Sequence, residues 1–174
     1  GIRWVDVKGA VLRPPTGGAF NGHEAKNVLE VIYDLLVNKE YKGSIGVVSP
    51  FRSQANFITK LVFDHPELSK KLSESEFISD TVHKFQGDER DVIIFSPVLA
   101  KGISAGSLHF LKSNGNLFNV AITRARAQLI VVGDLAFCST SQVDYLSRFA
   151  KYYSTLKEDI KKEKTISYED LGPD

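Results

Sequence analysis

NVAITRARAQLIVVGD (119–134) sets Arg124 and Arg126 directly ahead of an apolar run, with Asp134 closing it. A run such as LIVV reads as a strand buried on both faces, the pattern of a parallel sheet. Two permanent charges at the entrance to a core need a reason. On a helix, positions two apart point about 200° from each other, so these two arginines are expected to do different jobs. Structural ion pairing accounts for Arg126 more comfortably than for Arg124.

Working outward, IRWVDV (2–7), SIGVVS (44–49) and DVIIFS (91–96) repeat the strand pattern. Between them lie helical spacings. Val28, Ile32, Leu35 and Leu36 mark a helix from His23 to about Lys39, with Asn21 as its cap. Phe51, Ala55, Ile58, Leu61 and Val62 mark a second after Pro50, and Val143, Leu146, Phe149, Ala150 and Tyr153 a last one. KGAVLRPPTGGAFNG (8–22) reads as a loop, and the charged tail 157–174 as a frayed end or linker. Strand–helix alternation predicts an α/β domain over 1–156, a mostly parallel sheet with helices on both faces. Ligands of such sheets sit outside the carboxyl ends of the strands. That rule directs attention to the segments after Ser49, after Asp80 and before Ala127.

Composition limits what those segments can do. The 174 residues, 43% hydrophobic and 25% charged, suit one globular domain with a proper core. Net charge is +1, so there is no global basic field and any nucleic-acid contact must come from a local groove. Cys138 is the one cysteine, which excludes an intrachain disulfide and a cysteine-based metal cluster. No apolar run approaches the roughly 20 residues that cross a bilayer, and no signal peptide is legible; an intracellular, cytoplasmic setting is expected. With no methionine, the chain reads as a piece of a longer protein.

SPFRSQ (49–54) ends a strand in a hydroxyl, an arginine and an amide. A helix start with a serine cap explains it, and so does contact with a phosphate backbone. In DTVHKFQGDERDVIIFS (80–96) Gly87 supplies a turn among charges. Such a loop serves as a solvated connection or touches phosphate on one side and ribose on the other.

Taken in order, VVSPFRSQ, TVHKFQGDERDVIIFS and NVAITRARAQLIVVGD resemble motifs IV, V and VI of the superfamily 1 helicases. The nearest look is to the branch that contains the eukaryotic RNA-surveillance helicase. The resemblance covers about residues 44–134 and implies the second, carboxy-terminal RecA-like domain, a three-layer α/β fold. It implies that Arg124 is the arginine finger reaching the γ-phosphate of ATP, with Gln86, Gly87 and Glu89 at the nucleotide and Glu89 near the ribose. Ser49, Gln54, Thr81 and His83 would face single-stranded nucleic acid, and Arg126 would keep a structural role. DNA is the favoured track, RNA the other, with 5′ to 3′ polarity and a monomeric protein. A non-hydrolysing nucleic-acid clamp with the same fold is the alternative.

The chain departs from the family in three respects. Asn116 and Leu117 stand where relatives often carry arginines, and no YRMHP-like segment precedes the second strand. Nor is there a G-x-x-x-x-G-K followed by Ser or Thr anywhere. The phosphate cradle, and with it most of the hold on ATP and Mg2+, is expected on an amino-terminal RecA-like domain upstream. The chain by itself should therefore fold but bind ATP–magnesium no tighter than millimolar by calorimetric titration. Micromolar binding would mean a complete nucleotide site within these residues.

Overall fold

The computed structural model describes residues 1–85 and 88–170, with side-chain surroundings for all of these except 83, 84, 117, 120, 121 and 163–170. Five parallel strands form one sheet: β1 (Ile2–Asp6), β2 (Ile45–Ser49), β3 (Ile78–Thr81), β4 (Arg90–Phe95) and β5 (Ala125–Gly133), in the order β1-β5-β4-β2-β3. The helices are α1 (Gly22–Tyr33), α2 (Arg52–Phe63), α3 (Ser69–Glu74), α4 (Val82–Phe85), α5 (Ala105–Ser113), α6 (Gly115–Ile122), α7 (Leu135–Ser139) and α8 (Asp144–Asp170). This is an α/β RecA-like fold.

Alternate residues of β2, β4 and β5 feed two separate cores, which is why these strands read as unbroken apolar runs. Val48, Ile93, Phe95, Leu129 and Val131 pack on one face with Leu111, Phe118 and Leu146. Ile45, Val47, Val92, Ile94, Ile130 and Val132 pack on the other with Val28, Ile32, Ile58 and Val62. Asn21 caps α1 as expected, its side chain accepting from the Glu24 N–H at 3.1 Å. A π-helical turn, Asp34–Asn38, carries that helix to its end. Trp4 anchors the start of α8 against Phe149 and Tyr153 and donates its indole N–H to the Gly133 carbonyl at 2.9 Å. The tail expected to fray instead continues α8 to Asp170, and residues 155–162 of it are exposed.

Two expectations change. The three motif segments do not share one edge. Ser49 and Thr81 end β2 and β3 side by side at the carboxyl edge, whereas Arg124 precedes β5, where its carbonyl accepts from Arg90 N at 3.2 Å, at the amino edge. In a parallel sheet a residue that precedes its strand cannot lie where strands end. Nor are Arg124 and Arg126 on a helix: α6 stops at Ile122, Arg124 lies in the turn, and Arg126 is on β5.

One connection joins the edges directly. Residues 82–89 run from the carboxyl end of β3, past β2, to the amino end of β4. The buried ring of Phe85 lies on Gly46 of β2, where a Cβ would stand 2.5 Å from Phe85 Cζ and 3.1 Å from Arg90 Cγ. Gly46→Ala should therefore cost about 1–3 kcal/mol in urea denaturation, the overpacking outweighing alanine's lower backbone entropy. Combined with Phe85→Leu, the loss should be smaller than the sum of the two single losses.

Candidate nucleotide and nucleic-acid site

The amino edge gathers two arginines and two carboxylates. Arg126 is hydrogen-bonded: its Nε donates to Asp91 Oδ1 at 3.2 Å and its Nη2 to Ser44 Oγ at 3.3 Å. Asp91 Oδ2 accepts from the Ser44 N–H at 2.8 Å, and the Asp91 N–H donates to Ser44 Oγ at 2.9 Å. The Ser44 backbone N–H, followed by its hydroxyl and Arg126, holds the Asp91 carboxyl below its ordinary range. This closed set ties the amino ends of β2, β4 and β5 together.

Arg124 differs. Its Nη1 lies 3.9 Å from one oxygen of Glu89, while Arg126 Nη1 lies 3.9 Å from the other. Both distances are too long for hydrogen bonds, so Glu89, half exposed, is shared loosely between the two arginines. The Nε of Arg124 is buried with no partner, and among the described residues the side chain makes no hydrogen bond. A planar fork of donors with so little to hold is chemically suited to an incoming phosphate. Gln86 and Gly87, expected beside the nucleotide, lie outside the described residues.

At the carboxyl edge, Ser49 and Gln54 turn inward. Ser49 is fully buried and its Oγ accepts from the Phe51 N–H at 3.3 Å. Gln54, also fully buried, accepts from Asn21 N at 2.9 Å and donates to the Asn21 carbonyl and to Ser96 Oγ, both at 3.1 Å. As it stands, its amide has nothing left to offer a ligand. Thr81 is nearly buried with an unpartnered hydroxyl, and its N–H donates to Asp80 at 2.7 Å. His83 lies on α4 and its side chain is outside the description.

Behind this edge lies a residue that the sequence reading passed over. Glu24 is fully buried; its Oε1 accepts from the Ser96 hydroxyl at 2.6 Å and the Val98 N–H at 2.9 Å, and its Oε2 is unpartnered. Burial pushes its pKa up to about 7, against the pull of those two hydrogen bonds. Gln54, Ser96 and Glu24 thus stitch α1, α2 and the end of β4 into one buried chain. The signal was present: Asn21 followed three residues later by Glu24 has the spacing of a capping box. Here the carboxylate reaches across to β4.

Residues 2–136 match the AAA domain family. The chain belongs to that family and is a superfamily 1 helicase domain. It is 35% identical over 155 residues to the DNA polymerase alpha-associated DNA helicase A of Saccharomyces cerevisiae, covering 86% of this chain and 21% of that one. It is 30% identical to an uncharacterized ATP-dependent helicase of Methanocaldococcus jannaschii, covering 76% and 18%. To the regulator of nonsense transcripts 1 of Caenorhabditis elegans it is 35% identical, covering 66% and 10%. The helicase domain thus spans about a fifth or less of the relatives named here.

Glu24 gives this helicase domain a pH signature. A carboxyl whose folded pKa lies above its ordinary 4.5 stabilises the fold while protonated. That contribution is full below about pH 4.5 and is lost as pH rises through about 7. Glu24→Gln keeps an acceptor for Ser96 and Val98 but has no proton to lose. Between about pH 5 and pH 8 the wild type should lose stability relative to this variant, on the order of 3 kcal/mol at the limit. Parallel denaturation curves across that range would remove Glu24 as the titrating group.

Proposed function

We propose that this chain is the second RecA-like motor domain of an ATP-dependent helicase or translocase acting on single-stranded nucleic acid. The observation that carries the reading is the contrast at the amino edge. Arg126 is satisfied by Asp91 and Ser44, while Arg124 is held only loosely by Glu89 and keeps a buried, unpartnered Nε. An ATP bound to a companion domain would present its γ-phosphate to this edge. Mg2+ held with it would neutralise part of the phosphate charge. Arg124 then exchanges a weak contact at 3.9 Å for bidentate hydrogen bonds to phosphoryl oxygens, drawing the domains together. As charge develops on the transferred group, the same guanidinium stabilises it. Glu89, freed from Arg124, would remain beside Arg126 and would meet the ribose. Loss of the γ-phosphate releases the grip, and alternation of closure and release moves the strand.

DNA is favoured as the track. The likeness to a yeast DNA helicase supports it; the likeness to a regulator of nonsense transcripts keeps RNA as the other outcome. An intracellular, cytoplasmic, monomeric protein is part of the same reading.

Arg124→Ala in the full-length protein should lower kcat for ATP hydrolysis at least about a hundredfold, with ATP affinity changed less. Arg124→Lys should rescue little, because an ammonium lacks the planar two-pronged geometry. Arg126→Ala should cost stability, since it leaves Asp91 without its cation, while the rate per folded molecule stays within a few-fold. Steady-state ATPase normalised by folded fraction measures all three. A dead Arg126→Ala beside an active Arg124→Ala would transfer the finger to the other arginine.

A further inference from the structure

Where α1 meets the exit of β4, a strained backbone and an unsatisfied carboxyl are in direct contact. Val98 is fully buried with φ at +57°, a left-handed conformation that a β-branched residue adopts only under constraint. Its N–H donates to Glu24 Oε1 at 2.9 Å, and among the described residues it has no other acceptor. Glu24 in turn is fully buried with Oε2 unpartnered. We propose that Glu24 is a latch: its carboxyl keeps the Val98 turn closed while it carries a proton, and its ionisation opens this seam locally while the sheet stays folded. The inference goes beyond the helicase reading and does not depend on it.

The latch arises by displacement. In a capping box, the carboxylate three residues after the cap returns to the cap's own N–H. Here Gln54 Oε1, from α2, takes the Asn21 N–H at 2.9 Å. Glu24 is left to cross to β4, where the Ser96 hydroxyl donates to its Oε1 at 2.6 Å. Gln54 Nε2 donates to the same hydroxyl oxygen at 3.1 Å, so Ser96 has its single proton committed to Glu24. With two hydrogen bonds arriving at Oε1, the proton of the neutral acid belongs on Oε2. Gly133 and Pro97 stand around that oxygen: a Cβ on Gly133 would lie 3.7 Å from Oε2 and 3.2 Å from Pro97 Cγ. An unpaired O–H in such surroundings costs less than an unpaired negative charge.

The neighbouring groups do not offset that charge. Among the described residues no cation pairs with Glu24. Asp134, which follows β5, acts on it as a like charge and favours the protonated form. Lys8 is engaged by Asp134 at 2.8 Å and lies 3.6 Å from Asp6. Cys138 on α7 is buried, which pushes its thiol up and keeps it neutral. From α2 and β4 come only the Gln54 amide and the Ser96 hydroxyl, which do not titrate. Burial thus outweighs the two hydrogen bonds and sets the turnover near neutrality, at about 7. Once ionised, the carboxylate gains by reaching water, and Val98 gains by leaving its strained angle. Both relaxations need one motion, the parting of the first turn of α1 from residues 96–98. The sheet need not give, because the Ser96 N–H is held separately by the Val48 carbonyl at 2.9 Å.

The test is hydrogen exchange on the full-length protein between about pH 6 and pH 8, resolved to single amides by fragmentation mass spectrometry. Each rate is divided by that of the same amide in an unstructured chain at the same pH. The Val98 N–H should lose about tenfold in protection over this range, the linkage expected of a carboxyl with pKa about 7 in the closed seam and 4.5 in the open one. The Val92 N–H, bonded to the Ser44 carbonyl at 3.0 Å at the other end of the same strand, should stay level. Glu24→Gln keeps an acceptor for Ser96 and Val98, has no proton to lose, and should flatten the Val98 profile. A level Val98 profile in the wild type would overturn the latch. So would a fall in step with Val92, which would mean that Glu24 ionises only as the whole domain unfolds. The same fall in Glu24→Gln would overturn it too, by assigning the titration to another group. Should Glu24→Gln not fold, the two wild-type amides decide alone.

Discussion

Gly46 and Phe85 set the terms for the rest of this domain. Parallel strands demand that the chain return from the carboxyl edge to the amino edge before each new strand, and most returns here use a full helix standing off the sheet. The return from β3 to β4 has only residues 82–89, and it must pass β2 on the way. It manages this with one helical turn whose phenyl ring lies directly on the sheet, in the space a side chain at position 46 would fill. A side chain at position 46 would meet both Phe85 and Arg90, so the ring that seats the connection would have to shift.

That short return also gives the domain its two-sided character. Thr81 ends β3 at the carboxyl edge, beside Ser49. Glu89 and Asp91, eight and ten positions later, face the two arginines at the amino edge. On the helicase reading, the strand lies at the first edge and the nucleotide at the second. Residues 81–91 then connect them in sequence, with Phe85 packed on Gly46 and Asp91 tied to Ser44 and Arg126.

How much of this was legible in the sequence follows from burial. Strands β2, β4 and β5 were readable to within two residues because their apolar runs are buried on both faces, and β1 was readable from its apolar residues although only Trp4 of it is buried. ISDT of β3 escaped because it is short and only Thr81 of it is buried. Helices α3, α4 and α7 are too brief to display a period, and the far part of α8 lacks the apolar face by which helices are recognised in sequence. At the amino edge, the motif singled out Arg124, but the helical spacing assumed for the arginines was not the real geometry. The chain leaves its helix two residues before Arg124, so both side chains come to the same glutamate. Ser49 and Gln54 illustrate a different limit. Hydroxyls and amides that suit a phosphate suit a cap or a buried tie equally well, and residue type does not reveal which way the side chain points.

The two arginines show how differently one residue type can be held at one edge of a sheet. Arg126 meets Asp91 and Ser44 at hydrogen-bonding distance, so its charge is offset within the chain and its loss would expose a carboxylate. Arg124 leaves a buried N–H without a partner, an arrangement that costs on the order of 1–3 kcal/mol when nothing compensates it. A fold selected for stability alone would have given that nitrogen an acceptor, and Glu89 is close enough to have supplied one. Instead Glu89 stands midway, at 3.9 Å from each arginine, committed to neither. Glu24 Oε2 and the Thr81 hydroxyl are buried without partners as well, so what sets Arg124 apart is a charged fork of donors beside a half-exposed carboxylate. Here it lies on the edge that a second nucleotide-binding domain would face.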